Sequence, residues 1–486
     1  MKRFLNLIAV LCAVTLLCAG CAMYQQDYRV DVQEYAMIAQ PGDLSKLDEY
    51  PNLTYVDLRG STCYDEILEY MSGHPEVTVR YNVQLGQKRF NQDITDVALN
   101  GYEVAYESLA QNLKYLPNVN TVHIDQIEMN AQEMDDLQAA YPEIAFTYTV
   151  ELAGHRYDHT VSEVDLARMM PSEVNKAVER LALLPNLTDL MLMDGDGQSR
   201  LALSDVKIMV DAFPEANFHY VVNLFGNVIS LTDEDLVFDS VKVGNEGITE
   251  IRNVLDLMNH CTYVKLDSCE VDNGVMAQLR NDYPEKNVVW RVFTDKYSML
   301  TDEQMLRMPN SLTDKDAAVL QYCNQVKYLD VTQSNITDIS FISHMPNLEC
   351  AILSITRIKD LSPLAECPNL VWLEVTNCSG IKDLSALSTL ENLKYLNVSI
   401  TKVADLSPLD NLNLERFKCV RTSTTKKDIE AFIAKHPNCR TTTTGSSLGL
   451  GWRYEDANQK TIFPYYEQLV KIFRYDDKGY KGNHKE

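Results

Sequence analysis

The residues that could do covalent chemistry are scattered, and each lacks the neighbours that chemistry needs. Gly445-Ser446-Ser447-Leu448-Gly449 fits the G-x-S-x-G pattern of a serine nucleophile. Such a serine sits on a sharp turn between a strand and a helix, and the following Gly449-Leu450-Gly451 opposes a helix. Ser423-Thr424-Thr425-Lys426 fits S-x-x-K, but no S-D-N or K-T-G accompanies it. It reads better as the cap of a helix beginning at Lys427. Asp194-Gly195-Asp196-Gly197 offers carboxylates to a cation. A calcium loop of the helix-loop-helix kind needs glycine at its sixth position and glutamate at its twelfth. Those positions hold Ser199 and Asp205, so a solvated loop is the better reading. The nine histidines show no metal-ligand spacing. We expect no catalytic residue, no metal site and no cofactor.

What remains is binding chemistry, and it depends on a repeat. Asn347, Asn369, Asn392 and Asn413 each open an Asn-Leu segment, and Gln325-Val326 opens one before them; the spacings are 22, 22, 23 and 21 residues. Apolar residues recur at positions 1, 4 and 6 of each unit, as in Leu370, Leu373 and Val375. The step from 4 to 6 is strand alternation, which buries one side of a short strand and leaves the other free. A second signature follows in each unit: Asp360-Leu361-Ser362-Pro363-Leu364 returns as Asp383 to Leu387 and Asp405 to Leu409, with a looser copy at Asp338 to Ile342. The proline favours a tight turn over a regular helix. A period of this length marks a solenoid, in which stacked units bury what one unit cannot.

From Gln325 to Val420 the chain resembles the leucine-rich repeats of about 22 residues found in bacterial surface proteins of the internalin type. The resemblance implies an α/β leucine-rich repeat solenoid with parallel strands on its concave face, and binding on that face. The family often carries Asn at position 9, bonded to neighbouring backbone. Here the position holds Ser334, Thr356, Cys378 and Thr401. Positions 3 and 5 flank the core residue at 4. Column 3 is Tyr328, Cys350, Trp372, Tyr395 and Arg416; column 5 is Asp330, Ile352, Glu374, Asn397 and Lys418. With strands about 4.8 Å apart, Trp372 and Tyr395 stand side by side. Aromatic residues ringed by charge make good anchors. We take Tyr328, Asp330, Trp372, Glu374, Tyr395 and Asn397 as the candidate ligand-binding residues, expected to face solvent.

The same 1-4-6 pattern returns at longer intervals upstream: Leu53, Val56, Leu58; Val119, Val122, Ile124; Leu187, Leu190, Leu192; and Cys261, Val264, Leu266. Those spacings are 66, 68 and 74 residues, then 65 to Val326. Pro-Glu recurs between them at 75, 142, 214 and 284, each time before an alternating run. A third strand pattern follows at Val97-Leu99, Val164-Leu166 and Val241-Val243. These are irregular, helix-rich long repeats N-terminal to the regular ones.

The N-terminus reads as an export signal. Met1-Lys2-Arg3 is charged, and Phe4 to Leu17 is apolar but too short to span a membrane. Ala19-Gly20-Cys21 resembles the end of a bacterial lipobox, which implies a lipid on Cys21. The expected organisation is a signal peptide over 1–20, a tether over 21–48, long repeats over 49–322, regular repeats over 323–426, and a C-terminal cap and tail over 427–486. The chain carries 44 basic and 69 acidic side chains, a net charge of −25. That balance excludes nucleic-acid binding by phosphate neutralisation. Of 12 cysteines, those at repeat positions, such as Cys323 and Cys367, read as free thiols in the core. The resulting expectation is a lipid-anchored bacterial cell-surface protein that binds an extracellular protein, peptide or glycan and touches the membrane only through its anchor. A surface spacer without a ligand of its own is the alternative, and an enzyme with an unrecognised site is a further one.

Overall fold

The computed structural model describes residues 31–483. The signal sequence and Cys21 lie outside the described residues. The chain forms two compact units. The first runs to Val221 and takes in Ser230–Thr232; the second comprises Val222–Ile229 and the chain from Asp233 onward.

Three parallel ladders organise the first unit. Glu34–Ala36, Tyr55–Asp57 and Thr78–Arg80 form one. Asp96–Asn100, Thr121–Asp125 and Ala145–Leu152 form the next, which His155–Asp158 extends antiparallel. Glu163–Asp165, Asp189–Met191 and Asn217–His219 form the third. The third strand pattern pairs with the 1-4-6 strand that follows it in two of its three copies, Val97 facing Val122 and Val164 facing Leu190. The third copy is corrected: the strand there is Asp235–Asp239, with Leu236 facing Val264 and Phe238 facing Leu266, and Val241 and Val243 lie beyond its end. Helices Tyr64–Gly73, Ala131–Ala140 and Leu203–Ala212 each stop two residues short of the Pro-Glu step. The residue before each proline leaves the α region, as proline requires (His74, φ −129°, ψ 64°). A second expectation is corrected. From Glu34 the supposed tether is folded: Glu34–Ala36 is an edge strand, and Leu44 and Leu47 of the turn Asp43–Glu49 are buried. A three-residue strand held by backbone bonds and a turn held by two leucines leave no period to read.

The second unit begins with the parallel ladder Asp235–Asp239, Tyr263–Asp267 and Asn287–Phe293, closed antiparallel by Ser298–Leu300. A seven-stranded, wholly parallel sheet follows: Met305–Arg307, Tyr328–Asp330, Cys350–Ile352, Trp372–Glu374, Tyr395–Asn397, Arg416–Lys418 and Arg440–Thr442. Position 4 is one aligned row, Leu329, Ala351, Leu373, Leu396 and Phe417, and all five are buried. The sheet overruns the regular-repeat boundaries of 323 and 426 by one strand at each end. Between strands the chain makes short 3-10 turns. Asp338, Asp360, Asp383 and Asp405 each accept the backbone N–H of the serine two residues on, at 2.8–2.9 Å. At position 9, Thr356 and Thr401 donate to the backbone carbonyls of Leu353 and Val398 at 2.8 and 2.7 Å. Helix Lys426–Lys435 follows, its N-terminus capped by Thr425.

Position 8 carries a signature that composition hides. Gln333, Ile355, Asn377, Ile400 and Arg421 all adopt φ between 54 and 61°. The eighth residues of three long repeats, Gly60, Gln126 and Ser268, also have positive φ. One left-handed residue turns the chain out of the strand in both kinds of repeat. Two of these positions hold β-branched isoleucine, for which that conformation is strained.

Cys261, Cys323, Cys367 and Cys419 are buried and free of disulfides, as read from their positions, and so is Cys378 at position 9.

Candidate functional site

Columns 3 and 5 of the seven-stranded sheet line up as expected. Tyr328, Cys350, Trp372, Tyr395 and Arg416 are partners in register, and so are Asp330, Ile352, Glu374, Asn397 and Lys418. The expectation that these side chains face solvent is corrected. Trp372, Glu374 and Asn397 are 0% exposed and Tyr395 is 7% exposed. What covers them is the chain's own C-terminal segment, residues 445–483.

The segment's sequence explains how it lies on the ladder. Gly451, at φ +78°, passes so close to Thr442 that a Cβ would stand 2.4 Å from its Oγ1. Trp452 follows, fully buried. Pro464 opens the helix Pro464–Ile472, where its missing N–H costs nothing. Tyr466, Leu469 and Phe473 follow at helical spacing and are buried in one cluster with Cys350, Ile352, Trp372 and Tyr395. Gly482, at φ +83°, leaves no room for a Cβ beside the Arg307 carbonyl. Asn483 then grips Arg307 at both backbone groups, accepting its N–H at 2.8 Å and donating to its carbonyl at 3.1 Å.

Each of the six candidate residues meets this segment. The Trp372 ring centroid lies 4.2 Å from that of Trp452, 5.7 Å from Tyr465 and 6.0 Å from Tyr466. Tyr395 packs on Tyr465 and Phe463 at 4.8 and 5.3 Å, and Tyr328 stands edge-on to Phe473 at 6.3 Å. Glu374 accepts the indole N–H of Trp452 and a guanidinium N–H of Arg453, both at 2.6 Å, and the Ser354 hydroxyl at 3.1 Å. Asp330 accepts the Tyr475 hydroxyl at 2.6 Å. Asn397 donates to the Ser447 carbonyl at 2.9 Å. Two further column residues do likewise: Lys418 donates to the Leu450 carbonyl, and Arg416 pairs with Glu455 beneath the Phe463 ring.

The electrostatics follow from burial. Desolvation opposes the charge on Arg453, but the Glu374 carboxylate beside it outweighs that, and its pKa is raised. Burial, with Arg440 nearby, pushes Lys418 down to about 8. Burial holds Tyr466 up at about 12 and Tyr475 well above its ordinary value, so both are protonated donors at neutral pH.

The other motifs have local structural roles. Ser447 lies in an irregular bend and Thr425 caps its helix. Asp194 spends its carboxylate on the N–H groups of Asp196 and Gln198. Sequence reasoning missed Trp452, Arg453, Tyr465, Tyr466, Phe473 and Tyr475. The available signal was twofold: apolar Cys350 and Ile352 stand in columns meant for water, and the tail is dense in aromatics.

No protein-family profile and no curated protein matches the chain. Among solved structures, an internalin from Listeria monocytogenes is 16% identical, over 86% of this chain and 84% of its own, with a TM-score of 0.24. A second internalin from the same organism is 22% identical over 30% of this chain and 75% of its own, at 0.22. A leucine-rich repeat protein of Leptospira interrogans is 13% identical over 87% of this chain and 98% of its own, at 0.25.

Proposed function

We propose that this chain is a non-catalytic, extracytoplasmic leucine-rich repeat solenoid that binds polypeptide, anchored by lipid on Cys21. Tyr328, Asp330, Trp372, Glu374, Tyr395 and Asn397 are its polypeptide-binding face, filled here in cis by residues 445–483. One observation carries the reading: all six side chains, selected as a ladder, contact the same peptide segment. The groups they engage are a backbone carbonyl, an indole, a guanidinium, phenols and phenyl rings, which favours a protein or peptide ligand over a glycan. The complete burial of Trp372 and Glu374 favours a second reading, in which the segment is a permanent cap and outside ligands meet the strand faces of the long repeats.

Hydrogen exchange on the full chain tests the face. Glu374→Gln and Asp330→Asn should each speed exchange of the amides between 447 and 475 by tenfold or more. Unchanged exchange would mean that these residues do not hold the segment. For the anchor, Cys21→Ser should abolish lipid labelling and release the protein from the membrane fraction; labelling that persists rejects Cys21 as the site.

A further inference from the structure

The covering segment meets most polar groups of the ladder, but it leaves Arg307 Nε and, deeper in the aromatic seam, Trp372 Nε1 without a partner. Trp372 is fully buried, and its Nε1 has no hydrogen-bond partner. A buried N–H without an acceptor is uncommon and forfeits the bond it had with water. Its ring packs tilted against Trp452 and stacks on Tyr465 and Tyr466, so the unmet donor belongs to the seam between ladder and segment. The stretch that leads into the segment is exposed and unobstructed. Thr444, Gly445 and Ser446 are exposed, and Gly445 sits at φ +87° with open space for 4 Å around the place a Cβ would take. Rotation there lets the segment leave the ladder while the strand-to-strand bonds of the seven-stranded sheet stay in place, at the cost of the Asn483 bonds to Arg307.

We infer that the face binds, in trans, a partner polypeptide bearing an adjacent aromatic–arginine pair and a carbonyl acceptor for Trp372 Nε1, and that residues 445–483 are the competitor it displaces. This rests on reading the ladder as a polypeptide-binding face. Glu374 defines the pair, since one buried carboxylate takes an indole N–H and a guanidinium from consecutive residues. Asn397 and Lys418 define a main chain crossing the strands, since both donate to backbone carbonyls. A second copy's own segment would leave the same donor unmet, so the geometry points to a different polypeptide. Because a ligand shifts such an equilibrium only by its differential affinity, the partner must better the segment's fit, and the free Trp372 donor is where it can.

The test uses the full chain and a fluorescent synthetic peptide spanning Leu450 to Tyr475, which carries the Trp-Arg pair. Arg453→Gln with Tyr475→Phe weakens the segment and leaves the ladder intact. That double variant should bind the peptide at least tenfold more tightly than the native chain, and adding Glu374→Gln should remove the gain. A double variant that melts cooperatively yet binds no more tightly overturns the inference. Dimers forming without peptide, in proportion to concentration, overturn it in favour of a second copy. If the double variant does not fold, hydrogen exchange on the native chain decides: amides of 464–473 must exchange at least tenfold faster than those of Trp372–Glu374, and equal rates overturn the proposal. Should ladder substitutions release the segment while no peptide binds, this inference fails alone; should they release nothing, the reading of the face fails with it.

Discussion

The pair Glu374–Arg453 offers the sharpest quantitative check. Glu374 is wholly inaccessible and the Arg453 side chain is 20% exposed, with 2.6 Å between their charged atoms. Removing one partner of a buried pair leaves the other charge uncompensated, at about 3–5 kcal/mol. Glu374→Gln keeps one side-chain oxygen, enough to accept from Trp452, so a cost near the lower end, about 3 kcal/mol, is expected. Arg453→Met leaves the carboxylate two neutral donors, Trp452 and Ser354, and should also cost about 3 kcal/mol. The double variant replaces the pair with a neutral amide and an apolar chain of similar volume. It should lie within about 1 kcal/mol of the native protein. Urea unfolding followed by tryptophan emission reads this directly. Two of the three tryptophans, Trp372 and Trp452, stand 4.2 Å apart in the seam. Because the chain has two compact units, the transition to fit is the one that moves this emission. Strict additivity, with the double variant losing the sum of the single costs, would refute a coupled buried pair.

Two further outcomes follow from the fold. Ile355 sits at φ +59° and is 40% exposed, so Ile355→Asn should raise stability by about 0.5–1 kcal/mol, measured as a rise in melting temperature; a fall would deny the strain. Stability should decline as pH rises from about 9. Burial holds Cys323, Cys367 and Cys419 at about 12 and Cys439 at about 11, against 9.0 for an ordinary thiol. The folded chain keeps those protons while the unfolded chain loses them, so their stabilisation is complete below pH 9 and drains as pH climbs toward 12. Lys418, depressed to about 8 from 10.5, acts in the opposite sense between those values, but one lysine faces four thiols. Calorimetry under reducing conditions at pH 8 and pH 10 should show the lower melting temperature at pH 10; an equal or higher one would contradict the burial of the thiols.

The register of the regular repeats was legible because period and alternation are local. Leu348, Leu370, Leu393 and Leu414 fall at spacings of 21 to 23 residues, and the strands pair as those spacings require. Which side of a strand meets water is not local. Trp372 looks the same in sequence whether it faces solvent or Trp452, 80 residues later. The segment that covers it has no period, because it meets each strand with different groups: a carbonyl at Asn397, a guanidinium at Glu374, a phenol at Asp330. Repetition is readable; a one-off complement to a repeat is not. The left-handed residue at position 8 escaped for another reason. Gln, Ile, Asn, Ser, Arg and Gly all occupy it, so the backbone, and not the side chain, is what recurs.

The strap across the seven strands also bears on how the chain comes into being. Repeat arrays ordinarily need only their neighbours, and can close unit by unit as they emerge. Here the first strand of the sheet, Met305–Arg307, is bound by Asn483, so the sheet finishes only when residue 483 has been made. At about 5–20 residues per second, the final stretch of about 40 residues takes about 2–8 seconds. For that interval Trp372, Tyr395 and Ile352 are bare. A chain cut short by a premature stop or a nick after Thr444 would keep that apolar ladder open indefinitely, a ready mark for chaperones and proteases. Residues 445–483 therefore act as a seal, distinguishing a chain with its ladder closed from a fragment whose repeats are all intact.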